Sequence, residues 1–545
     1  MFIANEIDQL FRSVRSDMSD MALLAERAMF LGCKSYKHSA PPEHSRWPVD
    51  CTALKNLDTG YKNVWNSQRW LCKGANTMNE LWRLSASEVA RLVRTREVSA
   101  REVADAALQR LDSVNPRINA IVDCRPDQVR EQADRVDSVL ACGNDPGPLA
   151  GVPVTVKINI DQAGFATTDG SRLYENRIAK FNSPAVDNMV RAGAVLLGRS
   201  NAPTFAIRWF TSNLLYGGTY THNPRDPLLT PGGSSGGGAA GVAAGIGHIA
   251  LGTDIGGSVR YPAYACGVHG LRPGLGRVPF YNASLPEATA GAQLMHVVGP
   301  IARTVEDLRV SLSAMSAADP RDPWSVAAPL EGPPVPLHAA LCLRPAGRQV
   351  AREVEAAILD AGRRLADAGW TVEEIDDTPP LDEAAEVNEW LWLGDGFAQL
   401  ADEAERDGDP GALAVVAAVR PRTKTYPTDV VARALLQRAT VLRQWQLFLN
   451  KCAVLLIPVS AELPFPDGLD LQGNAAFQRV WDSQFLLRAT PALGLPALTV
   501  STGLVGKSPV GVQIVAGRYR EDLCLRAGEA IEARGTPPAP IDPSN

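Results

Sequence analysis

The chain has 545 residues, which exceeds the usual size of one compact domain and allows one large domain or two. Hydrophobic residues make up 45% of the sequence and charged residues 21%, as in ordinary globular proteins. The net charge of −6 gives no reason to expect a nucleic acid as the main ligand. Because no strongly apolar run reaches about 18 residues, we predict no membrane span.

Nine cysteines are scattered singly along the sequence. An odd count without CxxC spacing indicates reduced thiols and argues against a disulfide framework or a zinc site. The first residues, MFIANEIDQLF, lack the basic end and apolar run of a secretory signal. We therefore predict a cytoplasmic protein.

Residues 1–77 differ from the rest, because tryptophans and cysteines lie there among polar residues with little periodicity. Two interpretations stay open: an atypical N-terminal extension, disordered or helical around residues 7–31, or a mis-assigned start, with Met78 as the true one. An amphipathic pattern begins at Met78, so we predict a domain over residues 78–535. The proline-rich end, residues 536–545, is predicted to be a flexible tail.

Two helices have clear start signals in the first part of this domain. Ser85 with Glu88, and Ser99 with Glu102, fit the S-x-x-E capping box before apolar-periodic runs. Pro116 is predicted to end the second helix. Residues 119–123 are predicted to form a short strand and residues 127–140 a helix. The β-branched run GVPVTVKINID then predicts a strand at residues 151–161.

Strands and helices alternate in the rest of the chain. We predict a helix at residues 185–192 and a strand at 194–198, and a proline-rich connecting loop at 319–336. Further strands are predicted at residues 338–343, 453–459, 497–501 and 511–516, and helices at 350–368, within 381–451, and at 521–533. The alternation predicts an α/β fold: one α/β/α domain with a large mixed, mostly parallel twisted sheet covered by helices on both faces.

Residues 232–258 read GGSSGGGAAGVAAGIGHIALGTDIGGS, which is two glycine-flanked serine sites joined by small apolar residues. Glycines around a serine allow close backbone approach and let successive N–H groups point at one spot. Such a nest of donors can form an oxyanion hole. The joining segment predicts a helix and a strand packed inside a core.

Lys157 lies near the end of an apolar strand, where lysine is unusual. It could extend its amine into solvent. Alternatively, burial would lower its pKa and give a neutral amine that accepts a proton near neutral pH. A serine hydroxyl needs such a base to become a nucleophile, and serine–lysine pairs are an established solution.

A different serine chemistry is also possible, because GxSxG occurs twice, at Ser234 and Ser235. A nucleophile elbow of this type follows a strand directly and needs a partner histidine. DPLLTP precedes this segment instead, and each downstream histidine fits a structural or surface role better. The histidines concerned are His248, His269, His296 and His338.

Three motifs in order, Lys157 in GVPVTVKINID, then GGSSGGG, then GTDIGGSVR, resemble the amidase signature family of serine hydrolases. The resemblance continues through CGVHGLRPGLGRVP and extends more loosely over residues 78–533. Ser234 and Ser258 are 24 residues apart, as in that family. The resemblance implies a Ser–cis-Ser–Lys triad, with Ser258 as the nucleophile, Ser234 as the bridging serine after a cis peptide bond, and Lys157 as the base.

The resemblance also implies an acyl-enzyme on Ser258, formed from a carboxylic amide without a metal or organic cofactor. The backbone N–H groups of Ile255, Gly256 and Gly257 would stabilise the oxyanion. Asp254 and Arg260 would support the nucleophile loop from outside the reaction, as an ion pair.

Two positions depart from the commonest family pattern: Ile158 stands where Asp is frequent after the lysine, and Thr204 where Glu is frequent. Because of these two departures, the resemblance does not predict the contacts behind the triad or the substrate preference. Cys266 lies close to Ser258 in sequence, and we interpret it as a small core residue, not as a nucleophile.

The substrate pocket is expected to include Trp209, Phe210, Tyr216, the segment 279–295 and helices after Leu381. These aromatic and apolar residues favour an aryl or alkyl amide as the small-molecule substrate. The main alternative is the glutamine-hydrolysing A subunit of a tRNA-dependent amidotransferase complex. A catalytically silent binding protein is disfavoured because all three triad positions are filled. A homodimer is a further expectation from the family.

Overall fold

The structure is a computed structural model that describes residues 78–218 and 220–544. The predictions for residues 1–77, an extension or a mis-assigned start, lie outside the described residues. Within the described residues no helix is long and apolar enough to cross a membrane.

The first two helices begin where their capping boxes predict. Helix α1 (Ala86–Arg94) is capped by Ser85 and Glu88, and helix α2 (Ala100–Ile118) by Ser99 and Glu102. Pro116 lies inside the last turn of α2, and the helix ends two residues later than predicted. Asn119, with a φ of 47°, adopts the left-handed conformation that closes many helix ends.

Eleven strands of the described chain form one sheet. They are β1 (Ile121–Asp123), β2 (Pro153–Lys157), β3 (Val195–Ser200), β4 (Ile249–Asp254), β5 (His269–Arg272), β6 (Val297–Ala302), β7 (His338–Leu341), β8 (Thr371–Glu374), β9 (Val454–Pro458), β10 (Ala497–Val505) and β11 (Ser508–Ala516). Their order across the sheet is β1-β3-β2-β4-β6-β5-β10-β11-β9-β7-β8.

The predicted α/β fold with one large mixed sheet is confirmed, but parallel pairs do not predominate. Strands β2, β3 and β4 pair in parallel at one end, and β7, β8 and β9 at the other. The six pairs between and outside these blocks are antiparallel. One reason is the β10–β11 hairpin, whose two-residue connection permits only antiparallel pairing.

Fourteen further helices follow α1 and α2 in the described residues. They are α3 (Pro126–Ala141), α4 (Pro184–Arg191), α5 (Gly236–Ala244), α6 (Arg260–Cys266), α7 (Ala290–Met295), α8 (Val305–Met315), α9 (Arg352–Asp367), α10 (Leu381–Leu393), α11 (Phe397–Asp407), α12 (Pro410–Thr423), α13 (Val430–Leu449), α14 (Asn474–Ser483), α15 (Phe485–Leu493) and α16 (Glu521–Glu532).

Helices cover both faces of the sheet, as β9 illustrates. Val454 and Leu456 belong to a large core cluster that includes residues of α9 and α16. Leu455 and Ile457 belong to a second cluster with residues of α10, α13 and α15. Because successive strand residues point to opposite faces, each face of the sheet has its own apolar core.

Two residues of the C-terminal segment, for which a flexible tail stays a prediction, contact the domain. Asp542 accepts a hydrogen bond from Arg110 Nη1 at 2.7 Å. The Ile541 N–H donates to the Ala243 carbonyl at 2.9 Å. These contacts join Asp542 to α2 and Ile541 to α5.

Candidate active site

Lys157 is the last residue of β2 and is fully buried. Its Nζ lies 2.6 Å from Ser234 Oγ and 2.8 Å from Thr253 Oγ1. The alternative of a solvent-directed lysine is therefore wrong. The parallel pairing of β2 with β4 places Lys157 beside the end of β4, where Thr253 lies.

Ser234 lies in the loop that leads into α5, and the Gly233–Ser234 peptide bond is cis, as the resemblance predicted. Glycine is required here by space. A Cβ on Gly233 would lie 2.4 Å from the Arg208 carbonyl oxygen, and one on Gly237 would lie 2.4 Å from the Asn201 nitrogen. The loop thus packs backbone against backbone, which fixes the position of the Ser234 hydroxyl.

Ser258 lies between β4 and α6 and lines the same cleft as Ser234. Its carbonyl accepts a hydrogen bond from the Ser235 N–H at 3.1 Å, which ties the two serine loops together. Ser234 and Ser258 therefore line one cleft beside the end of β4, and the buried Lys157 lies behind it in contact with Ser234.

Asp254 and Arg260 form the predicted ion pair behind the nucleophile loop. Arg260 Nη2 lies 2.9 Å from Asp254 Oδ1, and Nε lies 3.0 Å from Oδ2. Both side chains are fully buried. Burial raises the pKa of Asp254, but the Arg260 guanidinium outweighs it and holds that pKa well below its usual value. The carboxylate stays ionised and accepts from the loop's own amides, those of Gly257 and Val259.

The electrostatics of the buried amine suit a general base. Burial lowers the pKa of Lys157 to about 7, against the opposing effect of the Asp169 and Asp254 charges. Thr253 Oγ1 accepts from Lys157 and also from Asn159 Nδ2 at 3.1 Å. These contacts orient the amine towards Ser234.

Asp169 is an acid in this cleft that the sequence analysis did not identify. Burial raises its pKa, while the charge of Lys157 lowers it. Its Oδ1 is buried and has no hydrogen-bond partner among the described residues. Asp169 has a φ of 49°, and the Phe205 N–H donates to its carbonyl at 2.7 Å, which holds this uncommon conformation in place.

The three predicted oxyanion donors are not equivalent. The Gly257 N–H donates to Asp254 Oδ1 at 2.9 Å, so it already has an acceptor, and the prediction for this residue needs correction. Ile255 and Gly256 line the cleft, and their N–H groups have no acceptor among the described residues. The Asp254 carboxylate, which shapes the loop, accepts the hydrogen bond of the Gly257 N–H, so this third predicted donor is already paired.

Two side chains outside the motifs hold the peptide planes of this loop. Asn388 Nδ2 of α10 donates to the Ile255 carbonyl at 2.9 Å, and Trp209 Nε1 donates to the Gly256 carbonyl at 3.0 Å. In a trans peptide the carbonyl and the following N–H point in opposite directions. Asn388 therefore turns the Gly256 N–H away from α10, and Trp209 turns the Gly257 N–H towards Asp254.

Replacing Asn388 by leucine is expected to lower kcat about tenfold and to leave KM nearly unchanged, because a misdirected donor weakens transition-state stabilisation alone. Steady-state kinetics on any hydrolysed amide measures this, with Glu386→Gln on the exposed face of α10 as the control. A change confined to KM would contradict the assignment.

The wall of the cleft is aromatic. Phe205, Trp209, Trp392 and Trp481 line it, and the Arg488 guanidinium carbon lies 4.4 Å from the Trp481 ring centroid. The prediction that Trp209 lines the cleft is confirmed by its position there. Helices after Leu381 also contribute, as predicted, because α10 supplies Trp392, α14 supplies Trp481 and α15 supplies Arg488.

Two predicted lining residues lie elsewhere. Phe210 is buried and stacks on Phe465 with centroids 6.3 Å apart, and Tyr216 Oη pairs with Thr168 Oγ1 at 3.2 Å. Neither is among the residues that line the cleft. The segment 279–295 lines an adjacent cavity.

The histidines considered as partners of a nucleophile elbow, and Cys266, lie mostly in structural positions. His248 is buried, its Nε2 lies 3.2 Å from the Leu81 carbonyl, and burial lowers its pKa to about 3. His269 lies 3.3 Å from Glu532. Cys266 is buried, and burial raises its pKa to about 12, so it is a poor nucleophile. His296, another histidine considered for that mechanism, lines the cleft.

Comparison with known proteins identifies a family and several relatives for this chain. The family model described as Amidase matches residues 102–525. Indoleacetamide hydrolase of Bradyrhizobium diazoefficiens is 37% identical over 460 residues, which cover 83% of this chain and 87% of that protein. The A subunit of the glutamyl-tRNA(Gln) amidotransferase from Carboxydothermus hydrogenoformans is 31% identical over 484 residues, covering 83% and 97%.

Solved structures are similar as well. A bacterial aryl acylamidase of the amidase signature family superposes with a TM-score of 0.73 at 26% identity, covering 84% of this chain and 97% of that one.

Proposed function

The chain belongs to the Amidase family and acts on amide carbon–nitrogen bonds, and we propose that it does so through an acyl-enzyme on Ser258, with Ser234 and Lys157 as the proton relay. The observation that carries the proposal is the 2.6 Å contact between the buried amine of Lys157 and Ser234 Oγ. An amine with a pKa of about 7 is half neutral near physiological pH and can accept a proton.

In the proposed reaction, neutral Lys157 takes the Ser234 proton while Ser234 takes the Ser258 proton. Ser258 Oγ attacks the amide carbon, and the N–H groups of Ile255 and Gly256 stabilise the oxyanion. The relay then returns one proton to the leaving nitrogen, the carbon–nitrogen bond breaks, and ammonia or an amine departs. Water repeats the sequence on the acyl-enzyme and releases the acid. Every proton is exchanged between these groups, so the scheme requires no metal or organic cofactor.

The aromatic wall supports an aryl or arylalkyl acyl group. Trp209, Trp392 and Trp481 offer flat apolar surfaces, which recognise an aromatic ring by stacking. Indoleacetamide hydrolase, the relative at 37% identity, is named for an amide of this kind. Glutamine, the substrate of the alternative amidotransferase component, is small and zwitterionic and matches these surfaces poorly. We therefore favour a free amidase for arylacetamides.

Ammonia release by the purified full chain tests this proposal, with indole-3-acetamide, phenylacetamide, benzamide, acetamide and glutamine as substrates. We expect kcat/KM for the two arylacetamides to exceed that for acetamide by about a hundredfold or more, since an aromatic group adds several kcal/mol of binding. If glutamine were the only substrate hydrolysed, the proposed function would change to that of the amidotransferase component.

The pH dependence of kcat/KM provides a second prediction. Activity should rise with pH through the pKa of Lys157, because only the neutral amine accepts a proton. The negative charge of Asp169 raises that pKa, so Asp169→Asn should move the acidic limb to lower pH. The profile of the variant beside the parent chain measures the shift. A limb that moves to higher pH would contradict the coupling between the two groups.

Location in the cytoplasm and assembly as a homodimer stay predictions. Gel filtration with light scattering tests the second directly.

A further inference from the structure

A second cavity adjoins the catalytic cleft and shares a polar wall with it. Asn159, Asp169 and His296 line both spaces. The residues that line only the second cavity are largely apolar or aromatic, and include Val278, Phe280, Tyr281, Leu285, Ala292 and Trp324. The proposed proton relay and oxyanion donors use none of them.

The shared wall lies on the lysine side of the reacting groups. Asn159 Nδ2 donates to Thr253 Oγ1, the same oxygen that lies 2.8 Å from Lys157 Nζ. The charges of Lys157 and Asp169 act on each other, and that of Lys157 acts on His296. By contrast, Trp209 contacts the oxyanion loop through the Gly256 carbonyl, so its part of the cleft lies on the oxyanion side.

This arrangement places the acyl half and the amine half of an amide substrate in different parts of the site. The relay must deliver its proton to the leaving nitrogen, so that nitrogen has to lie against Ser234, on the side of Lys157. The shared wall is therefore next to the leaving group, and the aromatic cleft remains for the acyl group.

The wall also offers acceptors for an amide N–H. Asp169 Oδ1 has no partner, and no hydrogen bond is seen for the other carboxylate oxygen or for the ring nitrogens of His296 within the described residues. Burial lowers the pKa of His296 to about 3, so the imidazole is neutral and keeps one nitrogen free to accept. A secondary amide could use one of these acceptors and place its N-substituent in the second cavity.

We infer that the second cavity holds the leaving amine of a secondary amide R–CO–NH–R′, with an aryl or arylalkyl R′ among Phe280, Tyr281 and Trp324. This inference rests on the proposed function and adds to it a binding site for an aromatic leaving amine. The products are the acid and R′–NH₂, whose nitrogen keeps its own hydrogen and gains one from Ser234. Trp324 is 44% exposed, so the cavity opens to solvent there and the amine has an exit.

Matched substrates and cavity variants of the full chain test the inference. Phenylacetamide, N-benzyl-phenylacetamide and N-benzyl-N-methyl-phenylacetamide share one acyl group, and the last has no N–H. The variants Ala292→Phe and Ala288→Phe reduce the second cavity at a half-buried position and at an exposed one. Ala290→Phe is the control, because Ala290 is exposed on the same helix α7 and lines neither space.

We expect the parent chain to cleave the N-benzyl amide and to cleave the N-methylated amide at least about tenfold less efficiently in kcat/KM. In each cavity variant, kcat/KM should fall about tenfold or more for the N-benzyl amide and less than about threefold for phenylacetamide. The reason is that the added phenyl ring fills space that only the N-benzyl group needs.

Hydrolysis of phenylacetamide but not of its N-benzyl derivative would overturn the inference and leave the proposed function intact. Equal losses on both substrates in the variants would also overturn it, since the cavity would then serve the whole reaction. Failure on phenylacetamide, indole-3-acetamide and benzamide together would instead remove the proposed function, and this inference with it.

Discussion

Ser258→Ala is expected to lower kcat for amide hydrolysis by at least about ten-thousandfold, because it removes the hydroxyl that forms the acyl-enzyme in the proposed reaction. The substitution removes one oxygen, and the loop is held by Asp254 through the amides of Gly257 and Val259, which alanine leaves in place. Ammonia release under saturating substrate measures the loss, and thermal unfolding verifies that the fold is retained.

Cys266→Ala is the control for the alternative nucleophile. Its thiol is buried, 3.4 Å from the Pro231 carbonyl, and the substitution should change kcat less than about twofold, since it touches no reacting group. Rapid-quench mass spectrometry should find an added acyl group on the peptide that contains Ser258. If Ser258→Ala kept more than a tenth of the activity, the nucleophile would have to be sought elsewhere in the cleft.

Lys157→Met is expected to lower kcat/KM by about a thousandfold, because Ser234 loses the base that accepts its proton. Methionine matches the length of the buried stem but carries no amine. It also leaves the hydroxyls of Ser234 and Thr253 without their shared partner, which should lower the free energy of unfolding by about 1–3 kcal/mol.

Lys180, an exposed lysine, provides the matched control, and Lys180→Met should behave like the parent chain. The residual activity of Lys157→Met should also lose the acidic limb of the pH profile. An unchanged limb in that variant would assign the titration to a different group and would remove Lys157 from the relay.

Local signals in the sequence predicted a large part of this structure. Glycines beside Ser234 and Ser258 indicated tight loops, and the structure has backbone at 2.4 Å from where a Cβ of Gly233 would be. Capping boxes predicted the starts of α1 and α2. The strands before and after GKS were predicted too short, because the hairpin turn at Gly506 and Lys507 was not recognised.

The missed residues act through contacts between distant parts of the chain. Asn388 reaches the Ile255 carbonyl across 133 positions, and no local pattern distinguishes it from any other polar residue of a helix. Asp169 lies in a loop, and its environment depends on Lys157 and the surrounding core. The hydrogen bond from the Gly257 N–H to Asp254 likewise depends on the buried Asp254–Arg260 pair, and the sequence motif does not specify the hydrogen bonds of that pair.

The proposed chemistry and the proposed selectivity come from different parts of the polypeptide. Lys157, Ser234 and Ser258 lie on or beside β2 and β4, whose apolar residues belong to the large core cluster. Trp481 belongs to a separate cluster built largely by α10, α11, α12 and α14, and Trp392 packs against it. Mutations in that helical cluster can reshape the acyl pocket while the packing around the triad stays intact. A lineage with this architecture can acquire new substrates through changes in that helical cluster, provided that Asn388 and Trp209 keep their contacts with the loop that precedes Ser258.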